Sequence, residues 1–364
     1  MPVFRYKNAD VFYNLYGNEG DPVITFVNGL SMRTTHWAPY FKILPQKGIR
    51  VLTYDMLGQG SSSKPILGVD FDDHAIMLKA LHDHLGISQP YVMGISFGGV
   101  VVLKYAIMFP DALKGLLPIS TFSELDPQLT CHAGNLYLGM AKVGFEFYLD
   151  LLMPLNFTNE WMTKNKDLLA VIKRSGAASN EIYGIQNLME SLANFSSITP
   201  DLSKIRVPTL IMNGEYDSLT PRNLHDIMRV QISNSRLLIV PKMSHAFTLE
   251  IPELCSRIFA EFIQQVENNA WQGDQTVWIA NEDANAPELA YQCHENPLRY
   301  VPSRESQSSF NKHVTWSSKA TSSNEALTTK DIPTDVLKQA MPSRIKTKTH
   351  EKKTAHHKNE SNSN

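Results

Sequence analysis

Six short apolar runs punctuate the first 240 residues: VITFV (23–27), RVLTY (50–54), YVMGI (91–95), LLPIS (116–120), TLIM (209–212) and LLIV (237–240). Each is brief, yet apolar on both faces of its pleat. A strand of that kind has to be covered on both sides, the condition of a central strand in a parallel sheet flanked by helices. Helical spacing fills the intervals, over residues 72–85, 98–108 and 252–266. The alternation predicts an α/β fold with a mostly parallel sheet. No repeat at solenoid spacing competes with it.

One interval breaks the rhythm. Between Ser120 and Pro208 the pattern is helical throughout. Over residues 136–152, Lys142, Glu146 and Asp150 recur at i, i+4 and i+8 and so share one helix face. An insertion at a strand end of an α/β sheet sits where ligands bind, so residues 121–204 are expected to form a helical lid.

Composition narrows the class. The chain has 364 residues, 43% of them hydrophobic, and a net charge of −2, enough for a sizeable core and without the footprint of a nucleic-acid binder. Three cysteines (Cys131, Cys255, Cys293) are too few and too scattered for a disulfide framework or a zinc site, and fit a reducing cytoplasmic setting. The opening MPVFRYKNADVFYNLYG alternates like a strand and has neither a basic n-region nor an apolar h-region, so no leader is expected. No apolar run is long enough for a membrane span. Residues 303–364, rich in Lys, Ser, Thr and Asn, read as a disordered basic tail. Before it, residues 269–302 carry Trp271, Trp278, Tyr291 and Tyr300 among polar neighbours, which suggests an ordered appendage and a surface open to a protein partner.

The motif richest in chemistry is Gly94-Ile95-Ser96-Phe97-Gly98-Gly99, placed between the strand YVMGI and the helical run GVVVLKYAIM. G-x-S-x-G in a strand–turn–helix context forms a sharp turn that holds the serine hydroxyl out. Gly94 and Gly98 make room for that turn. The helix that follows brings its N-terminal amides, with partial positive charge, beside Ser96.

A serine hydroxyl needs a base, and the base needs an orienting carboxylate. His245, in PKMSHAF just past the run LLIV, is the candidate base. Asp217, just past TLIM in NGEYD, is the candidate carboxylate, with Glu215 and Asp126 as alternatives. Ser, Asp and His after successive strands would meet at one sheet edge. His82 and His84, two apart on a helix, point different ways. His36 is a candidate for substrate contact.

Negative charge on an attacked carbonyl requires backbone donors. The N–H of Phe97, next after the serine, is one candidate. The other is the N–H of Leu30, in the turn Asn28-Gly29-Leu30 that ends VITFV. Gly29 permits the turn, although Asn-Gly is also an ordinary turn dipeptide.

With FVNGL (26–30), YDMLGQGSSSKP (54–65), GISFGG (94–99), PTLIMNGEYDSLTP (208–221) and VPKMSHAF (240–247), residues 3–268 resemble the α/β-hydrolase family, in particular its capped, esterase-like members. The resemblance implies a mostly parallel eight-stranded sheet flanked by helices. Its core would comprise residues 1–120 and 205–268, with a cap over 121–204. It also implies a triad Ser96–Asp217–His245, and no metal or organic cofactor. The expected chemistry is cleavage of a small carboxylic ester or thioester through an acyl-enzyme. Acyl transfer to another acceptor, a non-catalytic ligand-binding role, perhydrolysis and carbon–carbon bond hydrolysis stand as alternatives. Asn28, where most relatives have His, is similar to polyhydroxyalkanoate depolymerases and hydroxyacyl transferases. Those usually carry Trp where this chain has Phe97. Haloalkane dehalogenases need Asp in place of Ser96.

Overall fold

The computed structural model describes residues 2–179 and 182–293, and the side chains of these residues outside 175–179. The expected basic tail, and residues 294–302 of the expected appendage, lie outside the described residues.

The apolar runs are strands. The chain opens with β1 (Val3–Tyr6), β2 (Ala9–Tyr16) and β3 (Val23–Val27), then a short helix α1 (Ala38–Ile43) and β4 (Arg50–Tyr54). There follow α2 (Phe71–His84), β5 (Tyr91–Ile95), α3 (Phe97–Met108) and β6 (Gly115–Ile119). Every residue of β3, β5 and β6 is buried, as two-sided covering demands. Five helices come next: α4 (Pro127–Lys142), α5 (Phe145–Asn156), α6 (Asn159–Lys164), α7 (Lys166–Ser179) and α8 (Ile182–Ala193). The chain then returns through β7 (Thr209–Gly214), α9 (Arg222–Gln231), β8 (Ser235–Val240), α10 (Phe247–Glu250) and α11 (Pro252–Glu267).

The sheet order is β1-β2-β4-β3-β5-β6-β7-β8, and it continues into β9 (Val277–Ala280) and β10 (Ala290–Gln292). The eight strands implied by the resemblance are therefore followed by two more, drawn from the segment after residue 268. β9 runs parallel to β8, and β10 returns antiparallel. The Arg236 guanidinium lies between the rings of Trp271 and Trp278, 4.9 and 4.8 Å from their centroids, so aromatic and cationic side chains fasten this edge.

Successive residues of β3 feed opposite layers. Val23 and Val27 join the core beneath α2, α3 and α9, whereas Ile24 and Phe26 join Trp37, Tyr40 and the α11 residues Phe259 and Phe262 on the other face.

Residues 136–152 are not one helix. Gly144, at φ +130°, separates α4 from α5, and its N–H caps the first helix on the carbonyl of Gly139 at 3.1 Å. The shared face of Lys142, Glu146 and Asp150 is thus split across two helices.

Candidate active site

β5, β6, β7 and β8 run parallel with matched carboxyl ends, Ile95 beside Ile119 and Gly214 beside Val240. The loops after these strands, and after β3 and β4, supply the site.

Ser96 occupies the sharp turn between β5 and α3. Its backbone (φ +56°, ψ −121°) is one that side chains other than glycine rarely adopt. Its N–H continues the ladder to the Ile119 carbonyl at 3.0 Å. The flanking glycines are required sterically. A Cβ at Gly94 would meet the Gly98 carbonyl oxygen at 2.2 Å, and one at Gly98 would meet the Asn28 oxygen at 2.4 Å. Phe97 opens α3, so its N–H has no partner within the helix.

Asp217 and His245 meet: Oδ2 of the carboxylate is 2.9 Å from Nδ1 of the ring, and both residues are buried. The carboxylate also accepts from the amides of Leu219 (3.0 Å) and Thr220 (2.8 Å), the Thr220 hydroxyl (2.9 Å) and Asn213 Nδ2 (3.2 Å). Burial by itself would raise the Asp217 pKa. The His245 charge and hydrogen bond, with the Thr220 amide, outweigh burial and hold it below the usual carboxylate value. An anion so held fixes the ring with Nδ1 as donor and leaves Nε2 available as a base.

The other carboxylates are engaged elsewhere. Glu215 accepts from the Lys242 amide at 2.8 Å, and Asp126 caps α4 by accepting from Leu129 N–H at 2.7 Å. His82 is buried between the Thr25 hydroxyl (2.9 Å) and the Tyr105 hydroxyl (3.0 Å), while His84 stacks on Phe4.

The turn after β3 lies against the serine: a Cβ at Gly29 would sit 3.5 Å from Ser96 Cβ. Asn28 is a buried brace rather than a plain turn residue. Its Nδ2 donates to the Tyr54 carbonyl at 3.1 Å, and its Oδ1 accepts from Trp37 Nε1 at 2.7 Å. Asp55, after β4, accepts from Thr34 N–H (2.7 Å) and Ser61 N–H (2.8 Å), tying two loops together. Burial raises its pKa against the pull of those amides. Ser31 has a left-handed backbone (φ +62°), and its hydroxyl donates to the hydroxyl of Tyr148 on α5 at 3.0 Å.

Beside this turn is a cavity of about 160 Å³, lined among others by Leu30, Arg33 and His36 below, and Leu149, Leu152 and Val171 of α5 and α7 above. His36 faces it but is occupied with the backbone of Arg33, and burial lowers its pKa.

Sequence reasoning missed a supporting layer. His225 on α9 is fully buried, with a pKa pushed down to about 4 by burial, so its ring is neutral near pH 7. Its Nδ1 donates to the Pro221 carbonyl at 3.2 Å, and its Nε2 accepts from Thr121 N–H at 3.0 Å. Trp37, Asp55, Thr121 and Thr220 belong to the same layer. Asp55 had a readable signal, as a carboxylate directly after an apolar strand, and Thr220 lies within the segment PTLIMNGEYDSLTP; Trp37, Thr121 and His225 are isolated residues without a motif.

Residues 18–252 match the family described as serine aminopeptidase, S33. The chain belongs to that family of α/β hydrolases. It is similar to RutD of Stutzerimonas stutzeri (strain A1501), 28% identical over 260 residues covering 70% of this chain and 96% of that protein. It is also similar to 3-oxoadipate enol-lactonase 2 of Acinetobacter baylyi (strain ATCC 33305 / BD413 / ADP1), at 25% identity over 70% of this chain and 95% of the relative. Among solved structures, MGS-M2, an α/β-hydrolase enzyme from a Medee basin deep-sea metagenome library, superposes with a TM-score of 0.67. Its identity is 26%, covering 72% of this chain and 98% of that one. The S33 chain described here is an α/β-hydrolase enzyme, and no helix among its described residues is long and apolar enough to cross a membrane.

Proposed function

We propose that this protein hydrolyses small carboxylic esters or thioesters through an acyl-enzyme on Ser96. The observation that carries this reading is the 2.9 Å bond between His245 Nδ1 and a five-donor Asp217, at the sheet edge where Ser96 holds its strained turn. The enol-lactonase similarity supports it, since a lactone is a cyclic ester.

Ser96 Oγ attacks the carbonyl carbon while its proton passes to His245 Nε2. Asp217 keeps the ring oriented and stabilises the imidazolium. The N–H groups of Leu30 and Phe97 receive the developing oxyanion, each contributing about 3 kcal/mol in sites of this kind. The C–O or C–S bond then breaks, and His245 returns its proton to the leaving group. Water repeats the sequence with His245 as base and releases the acid. Residues 121–204 act as a cap, with the cavity under α5 and α7 taking an apolar part of the substrate. No step draws on a metal or organic cofactor.

The test is hydrolysis of nitrophenyl esters from acetate to laurate by the native protein and by Ser96→Ala. Turnover confined to the native protein is expected, with a chain-length optimum that sizes the cavity. Equal rates in both proteins would overturn the assignment of Ser96.

A further inference from the structure

The Gly29–Leu30 peptide bears two groups with linked directions. A peptide is planar and here trans, so the Gly29 carbonyl and the Leu30 N–H point to opposite sides of one rigid plate. Whatever holds the carbonyl therefore aims the N–H. Gln59 holds it: Nε2 donates to the Gly29 oxygen at 3.2 Å, joined by the Met32 N–H at 3.3 Å.

Gln59 is built to hold. Its side chain is fully buried, and its backbone is pinned within the turn after β4, its N–H donating to Met56 O and its carbonyl accepting from Ser62 N–H. Asp55 closes that turn through Ser61 and links it to Thr34, beyond the Gly29 turn. The donor on Gln59 thus rests on a rigid frame joined to the loop it steers.

The amide is also an expensive choice for this place. Among the described residues no donor reaches Gln59 Oε1, although the atom is buried. A side chain chosen for packing alone would carry no such oxygen. An amide kept under that penalty points to work done by its Nε2.

We propose that Gln59 is a positioning residue for ester hydrolysis: through the Gly29 carbonyl it aims the Leu30 N–H at the oxyanion formed on attack by Ser96. The proposal rests on the hydrolase reading above. Gln59 touches no substrate atom. It acts on a donor whose value appears only when charge develops, so its loss lowers kcat and spares KM.

The test compares native protein, Gln59→Met and Gln59→Leu, with Tyr137→Phe as a control that removes only a surface bond between α4 and Glu190 of α8. The readouts are kcat and KM on nitrophenyl butyrate, melting temperature, and Ki for an alkyl trifluoromethyl ketone whose serine adduct is an oxyanion. The expected result for both Gln59 variants is kcat about 10- to 100-fold lower, below the loss for deleting a whole donor. Ki should rise by a similar factor, KM should stay within about twofold, and the melting temperature should stay level or rise, since the unpaired oxygen is gone. Unchanged kcat and Ki would overturn the proposal. So would activity lost in step with melting temperature, or failure of both variants to fold, since either makes Gln59 a structural residue only. Native turnover that survives in Ser96→Ala, or no native turnover at all, would instead bring down the hydrolase reading, and this proposal with it.

Discussion

The hydroxyl of Thr121 donates a 2.7 Å hydrogen bond to the carbonyl oxygen of Ser96, while the amide of the same threonine donates to His225 Nε2 at 3.0 Å. The strained turn is thereby tied to the loop after β6, and that loop to α9. Strain at a non-glycine residue of this kind, about 1–3 kcal/mol, persists only when neighbours over-determine the backbone. A Cβ on Gly99 would also collide with Thr121, so the two elements fit without slack. Thr121→Val keeps the shape and removes the donor. Stability to urea should fall by about 1 kcal/mol, with a severalfold lower kcat on a short nitrophenyl ester. Unaltered values for both would show that Thr121 contributes only bulk.

Tyr148 links the α4–α8 segment to the turn beneath it. Its ring is buried against Phe145, and burial raises its pKa to about 12, so the phenol is neutral in ordinary buffers. Tyr148→Phe leaves the packing intact but deprives Ser31 of its acceptor. With the left-handed Ser31 less constrained, kcat should drop about fivefold, the equivalent of one ordinary hydrogen bond. Steady-state kinetics beside circular dichroism separate this from loss of structure.

Two glycines make a paired stability test. At Gly98 a Cβ would lie 2.4 and 2.5 Å from the backbone oxygens of Asn28 and Val27, which cannot retreat without moving β3. Gly98→Ala should cost about 3 kcal/mol or more by forcing the backbone apart. At Gly134, inside α4, nothing lies within 4 Å of an added Cβ. Gly134→Ala should gain about 0.5–1 kcal/mol from helix propensity and a less flexible unfolded chain. Chemical denaturation of both variants checks the opposite signs.

Buried neutral histidines set the acid side of stability. Burial lowers the pKa of His82 to about 3, and those of His74 and His225 to about 4. In the unfolded chain each titrates near ~6.5. Below that value the unfolded state gains protons that the native state refuses, so stability falls as pH drops from ~6.5 toward the folded values. Asp217 adds to the acid loss only lower, because its stabilisation is present above ~3.9 and disappears as pH falls through its depressed folded value. Buried Asp55 and Asp226, whose pKa values are raised by burial, act in the opposite sense above ~3.9. His82→Gln should therefore lose roughly 2 kcal/mol less unfolding free energy than the native protein between pH 7 and 5, as read from urea denaturation. Parallel pH profiles would place the His82 titration elsewhere.

The strands were legible because burial on both faces demands unbroken apolar runs, and such runs stand out in a chain whose polar residues otherwise follow helical spacing. Ser96, Asp217 and His245 were readable as candidates because each follows one of those runs within five residues, and parallel strands align their carboxyl ends. Tertiary structure decided what local pattern does not encode. The break at Gly144 depends on a carbonyl five residues back, and the two added strands depend on an open edge at β8. Asp217 rather than Glu215 meets His245 because two residues along a loop turn a carboxylate toward a different neighbour. The braces Asn28, Gln59, Thr121, His225 and Tyr148 have partners 25 to 117 residues away. A hydrogen bond depends on separations in space, and only packing of the whole sheet with its helices brings such donors and acceptors within reach.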